Sequence, residues 1–222
     1  GLAVGLGLCM LMVLFIKDEL SYDTYHSKSD RIYRILTEWR QGDQSMRTPI
    51  NEYRLYTALK TDFPEFEQIV RISPAGGSLV QYEDKEYQET RIFFADKELF
   101  EVFDFELLSG DPETVLAEPF TIILSETIAQ KYFGETDPLG KSLRFDDQFD
   151  ATITGIFKDI PQNSHFLSDI FVSMETGKTV FNQLVLNNWG ENSQYTYILL
   201  SENLDPQNIE ERFPAFLEKN QG

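Results

Sequence analysis

At 222 residues, with 41% of them hydrophobic, the chain is long enough to bury one large core or two small ones, which excludes a disordered protein. Its 37 acids against 19 bases leave a net charge of −18, so attraction to nucleic-acid phosphates or to an anionic membrane surface is not expected. The one cysteine, Cys9, rules out a disulfide framework or a cysteine-based zinc site within a single chain.

Residues 1–16 carry no charge and are followed at once by Lys17-Asp18-Glu19. As a helix they span about 24 Å, short of the ~30 Å hydrocarbon layer. The run has no polar face, no basic leader and no small-residue cleavage motif. It reads as the C-terminal part of a transmembrane helix that a preceding piece would complete, with the membrane exit by residue 20. Gly1, Gly5 and the Ala3/Gly7 pair give the small-residue spacing that lets membrane helices approach closely.

Residues 21–30 turn polar and aromatic, and residues 31–39 read as one strand carrying Ile32, Tyr33, Ile35, Leu36 and Trp39. His26 reads as a hydrogen-bonded histidine rather than a metal ligand, because the only other histidine is His165 and nothing in the sequence brings the two together. Thr48-Pro49 has the form of a helix start, with Leu55, Leu59 and Phe63 along one apolar face and Pro64 ending it. Val70-Arg71-Ile72 opens the next strand and completes a β-α-β order by residue 74. Residues 79–82 and 87–94 then flank a polar hairpin loop, Glu83-Asp84-Lys85-Glu86. A short helix is predicted over 96–103, with Leu99, Phe100 and Phe103. Tyr82, Tyr87, Phe93 and Phe94 are the candidates for an apolar groove that takes a peptide or lipid, and they read instead as core.

The densest signals lie between 120 and 165. An apolar run, 120–124, leads into a helix capped by Ser125, striped by Ile128, Ala129, Tyr132 and Phe133, and stopped by Gly134. The turn Asp137-Pro138-Leu139-Gly140-Lys141 precedes a hairpin of residues 142–145 and 149–157. Asp146, Asp147 and Asp150 lack the ligand spacing and turn glycine of a calcium loop and read as a solvated turn. Near the C-terminus, 194–201 is a strand pattern. Asp205-Pro206 opens a helix bearing Ile209, Phe213, Phe216 and Leu217, which Pro214 should kink or shorten.

Catalytic machinery is not evident. No phosphate-binding loop, nucleophile elbow or metal motif is present, and no catalytic, cofactor-binding or metal-ligating residue is assigned.

The strings Ser125-Glu126, Ala129-Gln130-Lys131-Tyr132-Phe133-Gly134, Asp137-Pro138-Leu139-Gly140-Lys141, Gly155-Ile156-Phe157-Lys158-Asp159-Ile160-Pro161 and Asn163-Ser164-His165 have an order and spacing similar to one known family. Asp23-Thr24-Tyr25-His26 and Asp30-Arg31-Ile32-Tyr33-Arg34-Ile35 extend the match upstream. Together they resemble the MacB-like periplasmic core domain of FtsX/MacB-type ABC transporter permeases. The resemblance implies an α+β fold, preceded by the end of a transmembrane helix at 1–20. Within 21–222 it implies a porter-like β-α-β subdomain, about 28–74 and 165–222, and an inserted strand-rich subdomain, about 75–160. It also implies an inner-membrane permease with residues 21–222 on the periplasmic or extracellular side, and no enzymatic activity in this chain. ATP and magnesium would be bound by a separate cytoplasmic ABC ATPase, and a second permease copy or half and a periplasmic partner are further expected neighbours. Macrolide or peptide export, lipoprotein extraction and control of wall hydrolases all occur on this architecture, and fold does not choose among them. The alternative reading is the ligand-binding extracellular domain of a membrane-anchored sensor.

Overall fold

A computed structural model describes residues 1–42, 44–180 and 192–221. The first helix, α1 (Leu2–Glu19), buries none of its residues. With Lys17, Asp18 and Glu19 in its last turn, it is not long and apolar enough to cross a membrane, and neither is any other helix among the described residues.

Ten strands form one mixed sheet around which the rest is built. Its members are β1 (Ile32–Arg34), β4 (Asn51–Glu52), β5 (Gln68–Tyr82), β6 (Lys85–Ala95), β7 (Leu107–Ser109), β8 (Thr121–Ser125), β9 (Ser142–Phe145), β10 (Phe149–Phe157), β11 (Ile170–Ser173) and β12 (Asn192–Leu199). β12 lies between β1 and β5, antiparallel to both. From β5 the pairing runs through β6, β11, β8, β10 and β9, and the last of these returns to β5 through Val80↔Phe145 and Gln81↔Arg144. Six strands thus close on themselves, removing most of the exposed sheet edge.

Why the strands read as continuous apolar runs follows from this closure, since both faces are covered. Ile122 and Leu124 of β8, with Ile170 and Val172 of β11, point into one cluster. There they meet the buried face of α4 (Glu126–Phe133), formed by Ile128, Tyr132 and Phe133. Their neighbours Ile123 and Phe171 point into a second cluster with Val70, Ile72, Phe103, Tyr197 and Leu199. The third layer covers the other face of β5 and β12. It packs α2 (Leu55–Asp62), α6 (Pro206–Glu210) and α7 (Phe213–Gln221) through Leu55, Leu59, Phe63, Ile209 and Phe216 onto Ile69, Ile198 and Leu200.

Most predicted elements are present, with four corrections. Residues 31–39 are not one strand. β1 ends at Arg34, and β2 (Thr37–Gln41) instead pairs with β3 (Gln44–Thr48) in a separate two-stranded hairpin. The break falls where Asn51 Nδ2 binds both the Ile35 carbonyl and Thr37 Oγ1, turning the chain away from the sheet. Thr48-Pro49 does not start a helix. Thr48 closes β3, its hydroxyl accepts from Ile50 N, and α2 begins only at Leu55, with no side-chain cap. The hairpin loop after β5 is two residues, Glu83 and Asp84, with Glu83 at φ +53, while Lys85 and Glu86 belong to β6. Finally, the C-terminal helix is two. Asp205 caps α6 through Gln207 N, and Pro214 sits in the first turn of α7, where a proline needs no amide hydrogen.

Between 120 and 165 the sequence signals are met in detail. Ser125 Oγ accepts from Ile128 N at 3.3 Å, and Gly134 ends α4 at φ +59. Ser125→Ala is expected to cost about 1 kcal/mol, the usual worth of such a cap. Urea denaturation of the chain checks it, and a midpoint unmoved by the substitution would remove the cap from any account of α4. The sheet continues without a break across residue 74, which lies within β5, and β11 joins β6 to β8.

Candidate functional site

α1 ends in a string of tight turns, residues 20–31, and these turns are held against the body of the domain by side chains from far along the chain. Asp23 is central. It adopts φ +59, a left-handed conformation that Asp tolerates better than most residues. Its Oδ1 accepts from the Ser164 hydroxyl at 3.3 Å and from the His165 amide at 3.1 Å. Oδ2 lies 2.7 Å from His165 Nδ1, and the Asp23 amide donates to the Asn163 carbonyl at 2.9 Å. Asn163 Nδ2 in turn donates to the Ser21 carbonyl at 2.9 Å. With Nδ1 protonated toward Asp23, His165 Nε2 accepts from the hydroxyl of Tyr197, a buried residue of β12 between β1 and β5. One unbroken hydrogen-bonded path therefore leads from the turn after α1 to the core.

The other side of the turns is fixed by α3 (Leu99–Val102) and the segment after it. Asp104 accepts from Ser27 N through its carboxylate, and its own amide donates to His26 Nδ1 at 3.1 Å. Lys28 Nζ donates to the Glu101 carbonyl at 2.7 Å. His26 is 3% exposed, wedged between Tyr25, Phe103 and Phe105. Because Nδ1 accepts an N–H, the neutral ring carries its proton on Nε2, which has no partner among the described residues. Asp23, His26, Ser29, Ile32, Arg34, Phe103, His165 and Tyr197 line a cleft of about 240 Å³.

Burial governs the electrostatics. It lowers the pKa of His26, with Asp23 and Asp104 pulling upward and His165 downward. It raises the Tyr197 hydroxyl well above the usual tyrosine range, against the opposing pull of Arg34. Tyr197 is thus a neutral hydrogen-bonding strut, not a nucleophile. For His26 the sign follows directly. A folded pKa below the free value of about 6.5 means that protons bind the unfolded chain better, so stability is full above that value and lost as pH falls through the folded pKa. Unfolding free energy measured between pH 7 and pH 5 should decline, and His26→Asn, which keeps an acceptor near the Nδ1 position, should flatten that decline. An unchanged slope in the variant would acquit His26.

Sequence reasoning kept the two histidines apart, yet the fold places both on this cleft. Asp23 and Asn163-Ser164-His165 are joined across 142 residues of chain. Asp104 and Tyr197 carried no sequence signal for the cleft. The remaining candidates fall elsewhere. Asp146 accepts from Ser78 and Leu79 N, and Asp147 and Asp150 pair with Arg144, so the acidic turn is internally satisfied. Among the described residues no group of three or more His, Cys, Asp or Glu is arranged to hold a metal ion. Phe94 is core, Phe93 and Tyr82 pack against the clusters, and Tyr87 stands edge-on to Tyr132 at 5.4 Å under Lys131.

No curated protein matches this chain. Solved structures do. A domain of a protein described as a permease from Porphyromonas gingivalis is 25% identical, with a TM-score of 0.75 over 89% of this chain and 84% of that one. The periplasmic region of MacB from Actinobacillus actinomycetemcomitans shares the fold at 15% identity, with a TM-score of 0.61 over 89% of this chain and 85% of that one. So does the extracellular domain of the noncanonic ABC-type transporter YknZ from Gram-positive bacteria, at 17% identity, with a TM-score of 0.54 over 83% of this chain and 88% of that one. Residues 1–216 match the family described as the MacB-like periplasmic core domain, and the chain belongs to that family, the periplasmic or extracellular part of ABC transporter permeases.

Proposed function

We propose that this domain converts displacement of a membrane helix into movement outside the membrane, within a permease driven by a separate cytoplasmic ABC ATPase. α1 is then the end of a transmembrane helix, and residues 21–222 lie beyond the cell inner membrane. ATP and magnesium act on the ATPase subunit, and this chain is a mechanical element rather than an enzyme. A second permease copy or half and a periplasmic partner complete the assembly.

The observation that carries this reading is the junction behind α1. A flexible tether would let the helix move without consequence. Here, Asp23, Asn163, Ser164 and His165 tie the exit turns to the strand carrying Tyr197. The division into a porter-like part, about 28–74 and 165–222, and a strand-rich insert, about 75–160, is kept in this proposal. Because one sheet runs through both, they would move as a unit. Copurification of the full-length protein from membranes tests the proposal. A stoichiometric ATP-binding subunit, with activity lost when its nucleotide site is mutated, is the expected result. Full-length protein that yields no ATPase under mild detergent, and carries a signalling output domain instead, would replace the permease with a sensor.

A further inference from the structure

Between the β2–β3 hairpin and helices α6 and α7 lies a groove of about 510 Å³ that the junction does not use. Its size is that of a small-molecule site. The walls are apolar, with Leu36, Trp39 and Leu217 exposed at 52%, 44% and 42%, and Leu55 and Phe213 deeper. An apolar groove alone names no occupant. Glu52 does.

Glu52 lines the same groove and is 3% exposed. Its backbone carbonyl accepts from Gln194 Nε2 at 3.2 Å, but its side-chain carboxyl has no hydrogen bond or ion pair among the described residues. Its oxygens are not among the sealed, unpartnered side-chain atoms of the described residues, so the carboxyl opens onto the groove, where a polar group with no protein partner favours one from a ligand. Glu210 stands on the rim of the groove, exposed and likewise without a partner among the described residues. Glu38 is satisfied by Arg40 and Arg47, and Arg34, the cation on the wall, faces Tyr197. What is left unmatched is a carboxyl recessed behind apolar walls.

We propose that this groove binds a small amphipathic organic cation, its apolar body between Trp39 and the C-terminal helices and its single protonated amine at Glu52. The indole face of Trp39 can add a cation–π contact as the amine enters. A chain of net charge −18 also draws cations toward the groove at long range. The site is independent of the transport reading, since it rests on Glu52 and the groove alone.

Calorimetric titration of the chain tests it with two probes, the tricyclic tertiary amine imipramine and its uncharged, side-chain-free core iminodibenzyl. Imipramine should bind with one-to-one stoichiometry and iminodibenzyl at least tenfold more weakly. Glu52→Gln keeps the shape and removes the charge, and it should weaken imipramine by about ten- to a hundredfold. Leu36→Lys, at an exposed wall position that tolerates substitution, should abolish binding while the melting temperature stays within a few degrees of the parent. The proposal is overturned if imipramine does not bind, if both probes bind equally, or if Leu36→Lys binds imipramine as well as the parent does. Glu52→Gln that melts normally and binds unchanged overturns it too, by placing the amine on other carboxylates of this acidic surface.

Discussion

Asp96→Ala should lower the unfolding free energy by about 3–5 kcal/mol, the range seen when one partner of a buried ion pair is removed. Arg71 and Asp96 have side chains only 4% and 6% exposed. They meet in a two-pronged arrangement, Nε to Oδ2 at 2.8 Å and Nη2 to Oδ1 at 2.7 Å, and Oδ2 also accepts the Arg71 amide. The guanidinium is sandwiched by Tyr56 at 4.0 Å and Tyr53 at 4.6 Å. Burial alone would lower the pKa of Arg71, yet the hydrogen bonds and charge of Asp96 outweigh it and the value is raised. Without Asp96 the guanidinium cannot neutralise itself and stays charged in a dry site. The pair also joins elements, since Arg71 lies in β5 and Asp96 leads into α3, where its carbonyl receives the Leu99 amide. Against a total stability of roughly 5–15 kcal/mol for an ordinary domain, such a loss is a large fraction. Urea denaturation measures it. The double replacement Arg71→Met/Asp96→Leu should recover most of the loss, because it removes both charges instead of stranding one. If Asp96→Ala costs under 1 kcal/mol, the guanidinium has found water and the site is not the closed pair described.

Local signals account for what the sequence alone reveals. Ser125 and Gly134 bracket α4 as predicted, because a cap and a left-handed glycine act over three or four residues. The apolar runs at Ile122-Ile123-Leu124 and Ile170-Phe171-Val172 mark strands covered on both faces. Misreadings occur where distant contacts override local preference. Residues 31–39 look like one strand, and only the side chain of Asn51 shows why they are two. Ring closure is invisible for the same reason, because Val80↔Phe145 pairs residues with no shared pattern.

At the candidate site the motif strings were legible but their meeting was not. Asp23-Thr24-Tyr25-His26 and Asn163-Ser164-His165 each stand out in the sequence. Nothing in either string says that a carboxylate from the first receives an amide, a hydroxyl and an imidazole from the second. Hydrogen-bonding side chains carry no periodicity, unlike the apolar faces that announce helices and strands. Glu52 is the same kind of case. Its neighbour in register is Asn192 on β12, and only the packed hairpin and C-terminal helices turn its position into the floor of a groove.

Asp23→Ala is expected to uncouple α1 from the domain without dismantling the core. The change leaves the His165 amide and ring nitrogen and the Ser164 hydroxyl without their acceptor, and it puts alanine at φ +59, where a Cβ without a polar tip is disfavoured. Losing these contacts at a partly exposed site should cost about 1–3 kcal/mol. Hydrogen exchange should accelerate at residues 21–26 and 163–165 and stay slow in β8 and β11, which are buried on both faces. Asp23→Asn is the informative control. Its carbonyl oxygen can keep the Ser164 and His165 amide bonds, and its amide can donate to Nδ1 if the imidazole proton moves to Nε2 and is given to Tyr197. The path would persist with its direction reversed, so Asn should retain most of what Ala loses. Under the proposed permease function, the Ala variant of the full-length protein should still assemble with an ATPase but show less transport output per ATP hydrolysed, whereas Asn should lie near the parent. Equal behaviour of Ala and parent in both exchange and coupling would show that α1 is transmitted by another route, and the junction would then be only a structural turn.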